Sequence, residues 1–172
     1  MRFEHSKKIS AKSPFAVPAV AILSENDWKK GGGLKSLPEQ VRERIAEASA
    51  RLKNPLKPGS RLCVPGRAKD EEDFWIALLP EERSAYRLLE FARDTLKQAL
   101  DPSHERLAIL LVGDESQEKK LARAAADAFG AALSARVFVM PVFGRREKAV
   151  KPWKLDHLQL VSAGAQDLES FC

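Results

Sequence analysis

After its arginine, Arg106–Val112 (RLAILLV) is an unbroken apolar run. A strand that is apolar at every position, not every second one, is covered on both faces, as in parallel sheets held between helix layers. The run therefore constrains the rest of the chain, which must supply helices for each side of a central strand. Glu81–Leu100 offers one, with Ala85, Leu88, Leu89, Ala92, Leu96, Ala99 and Leu100 at helical spacing. Acidic residues lead it, where the helix dipole is positive, and Asp101-Pro102 stops it. A second helix is expected from about Ser116 to Leu133, burying Leu121, Ala124, Ala125, Ala128, Ala132 and Leu133. Arg136–Phe143 reads either as a strand or as an extension of that helix.

The remaining segments alternate in kind. Phe15–Leu23 is a short buried strand, which Pro18 pushes toward a sheet edge or toward a start at Ala19. Gly31-Gly32-Gly33 is a loop, and Pro38 opens a helix with Val41, Ile45, Ala48 and Leu52 on one face. Ser60–Pro65, Asp73–Leu79 and His157–Val161 read as strands, and residues 1–13 as a strand or a loose lead-in. Strands alternating with helices predict an α/β three-layer sandwich. At the far end, Ala165, Leu168, Phe171 and Cys172 have helical spacing with no closing signal. Residues 1–163 are thus expected to form the domain, and residues 164–172 to start a helix leading toward a further domain.

A chain of 172 residues, 44% apolar and 31% charged, suits one domain with a solvated surface. The net charge of +5 permits an anionic partner but falls short of a dedicated basic arm. Cys63 lies in an apolar strand and Cys172 in the terminal helix, so no disulfide framework is expected. Met1–Ile9 lacks the apolar centre of a secretory signal, and no run approaches the roughly 20 apolar residues of a membrane span. A cytoplasmic protein without membrane contact is the expectation.

Motifs that would carry chemistry are sparse. Gly31-Gly32-Gly33 lacks the spacing of a phosphate fingerprint and reads as a flexible loop. Asp114 and Glu115 follow the Arg106–Val112 strand and disfavour a phosphate there; capping by Asp114 or Ser116 is the plainer role. His5, His104 and His157 are isolated, with no metal-ligand spacing and no His-Glu-x-x-His. Cys63 has no base near it in sequence, and its strand context favours a structural thiol. Arg145, Arg146, Lys148, Lys151 and Lys154, with Trp153 among them, form a candidate anion or nucleic-acid patch. A solvated loop is the alternative for it. No catalytic, metal-binding or cofactor-binding residue is assigned.

With the elements in order, the chain resembles the N-terminal domain of the leucyl (cytosol) aminopeptidase family. The likeness rests on Phe129-Gly130, Leu133, Arg136-Val137-Phe138 and Phe143-Gly144-Arg145-Arg146, similar to the family's helix, Tyr-x-Phe and basic turn. Lys57-Pro58-Gly59 before a strand ending at Pro65, the strand at Arg106–Val112 and the terminal helix also match. Phe129 stands where the family carries an acid, Arg136 where it carries an aromatic, and Pro80 replaces a glycine-rich exit. The resemblance implies a macro-domain-like sandwich with a mixed, mostly parallel sheet. It also implies a hexameric parent that removes N-terminal amino acids from peptides. Two divalent metal ions, manganese or zinc, would sit in a separate C-terminal catalytic domain, the partner of this one. The family's Asn-Thr-Asp-Ala-Glu-Gly-Arg motif is absent, since Asn26 precedes Asp27 and Asn54 precedes Pro55. A macro-like module for nucleotide, ADP-ribose or nucleic acid is the alternative reading.

Overall fold

The computed structural model describes residues 2–6, 15–31, 33–112, 119–137 and 154–162. Its strands are β1 (Arg2–Ser6), β2 (Ala19–Leu23), β3 (Arg61–Val64), β4 (Phe74–Leu78), β5 (Arg106–Val112) and β6 (His157–Ser162). Its helices are α1 (Glu25–Lys30), α2 (Glu39–Ala50), α3 (Ala85–Ala99) and α4 (Lys119–Val137), with a 3₁₀ turn at Gly33–Ser36. The strands form one sheet in the order β1-β6-β5-β2-β4-β3. Every neighbouring pair is parallel except β3 and β4. The expected α/β sandwich with a mixed, mostly parallel sheet is the observed fold.

Side-chain alternation builds the layers. Val20, Ile22, Leu107, Ile109 and Leu111 point to one face, where Leu88, Phe91, Leu96, Phe129 and Leu133 of α3 and α4 cover them. Ala19, Ala21, Leu23, Ala108, Leu110 and Val112 point to the other, toward Val41 and Ile45 of α2. The two faces follow from handedness. Right-handed crossovers change face when the direction of travel across the sheet reverses. The chain moves from β2 out to β4, then back through β5 to β6.

β2 starts at Ala19 and is central, lying between β4 and β5. Pro18 is harmless there because it only accepts, its carbonyl taking the Ala108 N–H at 3.0 Å. Other boundaries differ from expectation. The stretch Glu25–Lys30 is a helix, with Ser24 as its N-cap and Gly31 closing it at φ 64°. α2 ends at Ala50, which leaves Leu52 outside its apolar face and exposed. α3 starts only at Ala85, capped by Ser84, so Glu81 and Glu82 precede the helix and do not load its first turn. Its buried stripe also takes in Phe91 and Thr95, while Ala85 is exposed. Thr95 is tolerated inside because it donates to the Phe91 carbonyl at 2.7 Å and accepts from Arg61 Nε at 2.7 Å. α4 runs on through Val137, which resolves the start of Arg136–Phe143 as helix.

Candidate functional site

In open α/β sheets, ligands settle beyond the strand carboxyl ends where the strand order reverses. Here that place lies past Leu23 and Val112, on the adjacent strands β2 and β5. Ser24 and Asp27 are buried there, at 2% and 6% exposure. Ser24 Oγ donates to the Asp27 carboxylate at 2.6 Å and accepts the Asp27 N–H at 3.1 Å. The pair satisfies itself as a helix cap, which accounts for its burial without a ligand. Asp114 and Ser116, the expected capping residues after β5, lie outside the described residues, as does Glu115.

The amino-terminal end of the sheet is more open. Glu4, Val17, Arg106, Leu107, His157 and Gln159 line a cleft of about 310 Å³. Arg106 stands opposite His157, and Glu4 opposite Gln159. Aligned residues of parallel strands share a face, so these four side chains lie together on the α2 side of the sheet. β6 gives that side only Val161 as buried apolar cover, because Leu158 and Leu160 point the other way. His157 Nε2 lies 3.1 Å from the Glu4 carboxylate, tying β6 to β1. The sequence places His157 at the start of a strand but gives no sign of Glu4, since the partners lie far apart in the chain.

The other reactive side chains are committed elsewhere. His104 Nδ1 accepts the Asp101 N–H at 3.0 Å, and its Nε2 lies 3.3 Å from the Glu72 carboxylate. Burial pushes the Cys63 thiol up to about 11, and the nearby Asp73 carboxylate adds to the effect. A thiol so raised stays protonated and is a poor nucleophile, as its strand setting suggested. Glu71 is held down at about 2, first by hydrogen bonds from Arg44 at 2.7 and 3.0 Å, then by the Arg67 N–H at 2.7 Å. Arg44 also lies over the Phe15 ring at 4.0 Å, so this cluster pins the loop before β4 onto α2. A side chain at Gly66 would strike the Glu71 carbonyl, which explains glycine in that loop.

Of the candidate basic patch, Lys154 is described and exposed; Arg145, Arg146, Lys148 and Lys151 lie outside the described residues. So do Cys172 and the terminal helix expected over residues 164–172. Among the described residues, no three His, Cys, Asp or Glu side chains come together to hold a metal ion. No helix among them is long and apolar enough to cross a membrane.

What the described residues define is an α/β sandwich domain with a polar cleft at one end of its sheet. No protein-family model matches the chain, and no curated protein sequence matches it. Among solved structures it is similar to a mutant of tomato leucine aminopeptidase, with a TM-score of 0.52 and 16% identity. The match covers 95% of this chain and 32% of that one, so the chain spans about a third of the length of the enzyme it matches. At this identity the likeness is one of fold.

Proposed function

We propose that this chain is the non-catalytic N-terminal domain of a divergent, metal-dependent leucyl aminopeptidase. Its work is assembly, including hexamer formation by the parent, and control of access to the active site. The observation that carries the reading is the fold match, which takes in 95% of this chain but 32% of the aminopeptidase. A likeness so distributed suits one domain of a larger hydrolase. The described residues do not fit a pair of divalent ions, because they bring no three ligand side chains together. No step of peptide hydrolysis is therefore assigned to them. In this reading the manganese or zinc pair, and the polarised water it would supply, belong to the following domain.

Two measurements test the proposal. The purified 172-residue chain, supplied with manganese or zinc, is expected to leave a leucyl chromogenic amide intact. Turnover by the pure chain would overturn the non-catalytic assignment. The reading frame beyond Cys172 is expected to encode an Asn-Thr-Asp-Ala-Glu-Gly-Arg run. A stop codon there would overturn the domain assignment.

A further inference from the structure

We propose that the cleft at the amino-terminal end of the sheet binds a free α-amino acid, its carboxylate on Arg106 and its ammonium on Glu4. The lining presents one group of each charge beside an apolar wall, Val17. Among the described residues the Arg106 guanidinium has no carboxylate partner. Glu4 engages His157 through one oxygen, which leaves the other to accept a second donor. Leu107 belongs to the core on the opposite face, so it offers the cleft main chain only.

Geometry sets the span between the charges. Arg106 and Glu4 stand on β5 and β1, which flank β6, and they are one same-face step apart along the strands. That separates their Cα atoms by about 11–12 Å, from two strand spacings and two residue rises. At that spacing an arginine and a glutamate side chain reaching toward one another can be bridged by the short backbone of one amino acid. His157 and Gln159 lie between them and can add hydrogen bonds.

The charge pattern selects the ligand class. A phosphate or a simple carboxylate would gain Arg106 but meet the repulsion of Glu4. A cation would gain Glu4 and meet Arg106. A zwitterion satisfies both. At about 310 Å³ the cleft is at the small end of ligand pockets, which favours one amino acid over a peptide, and Val17 favours an aliphatic side chain. This chemistry stands on the lining alone, so its failure leaves the aminopeptidase reading untouched. Only the further step, that the ligand is a product of the parent enzyme, rests on that reading.

The test is a titration of the isotope-labelled chain with L-leucine, following the backbone amides of Arg106, His157 and Gln159 by NMR. Saturable shifts at those amides are expected. N-acetyl-L-leucine lacks the ammonium and L-leucinamide lacks the carboxylate; each is expected to bind at least about tenfold more weakly for want of one charge-assisted hydrogen bond. Arg106→Gln and Glu4→Gln alter exposed positions and should weaken L-leucine similarly while keeping the wild-type circular dichroism. Equal affinity for the three ligands, shifts centred elsewhere, or no saturable shift with L-leucine would overturn the proposal.

Discussion

Phe129→Ala tests how the helix layer is closed. The ring is 1% exposed and stands edge-on to Phe91, with centroids 6.4 Å apart and planes at 78°. Truncating a buried phenylalanine costs about 3–5 kcal/mol, partly from lost transfer energy and partly from the cavity. The aromatic pair accounts for about 0.5–1.5 kcal/mol of such a loss. Ala125, Ala126, Ala128 and Ala132 share the cluster and are too short to refill the space. The middle to upper part of the range, about 4 kcal/mol, is therefore expected. In a chain this long each kcal/mol lowers the melting temperature by about 2–4 °C, so the drop should be roughly 8–16 °C. Urea denaturation should show a lower midpoint with an unchanged slope. Phe91→Ala and the double variant close a thermodynamic cycle whose coupling should match the aromatic term. A loss under about 1.5 kcal/mol, or strictly additive single variants, would refute the reasoning. Phe129→Glu, which installs the kind of residue the resembling family carries there, should be worse than alanine because it buries an unpaired carboxylate.

Three further outcomes follow from the same physical reading. Glu71 titrates at about 2 against an ordinary 4.5, so its contribution is present above 4.5 and lost as pH falls through 2. Glu71→Gln should thus melt below wild type at neutral pH, with the gap closing in acid; a gap constant with pH would refute the assignment. In a Cys172→Ser background, alkylation of Cys63 by iodoacetamide should be slow at neutral pH and accelerate up to about 11. Asp73→Asn should shift that profile down, and a wild-type plateau reached near the ordinary 9.0 would contradict it. Gly31→Ala places a side chain at φ 64° where a Cβ meets nothing within 4 Å. The cost should be the left-handed backbone penalty alone, about 1–2 kcal/mol by urea denaturation, and a markedly larger loss would reveal a packing contact.

The elements that sequence foretold are those whose environment is written locally. β5 is apolar at every position after Arg106 because both its faces are covered there, and the run itself says so. Pro18 leaves two readings of the Phe15–Leu23 run, an edge strand or a start at Ala19, and the second is the one the fold adopts. α1 was not legible, because six mostly polar residues complete too few turns for a periodicity to register. Thr95 was missed for a different reason: its burial depends on Arg61, which arrives from β3 and lies over the Phe91 ring at 4.7 Å. The cleft is the extreme case. Glu4, Arg106 and His157 carry no shared local signal, and only the order of strands makes them neighbours. The alternation of strands and helices along the chain anticipated the α/β architecture.

The ladder between β1 and β6 has a consequence for how the molecule is made. Arg2 pairs with His157, so the first of the described strands to leave the ribosome has its neighbour, among the described residues, in the last of them. Until β6 emerges and settles beside β5, β1 has no edge to join among the described strands, and the loop it must close takes in all the other described strands and helices. Of the described strands, synthesis therefore delivers first the one that assembly needs last, and that strand must stay unattached while the centre of the sheet forms around β2, β4 and β5.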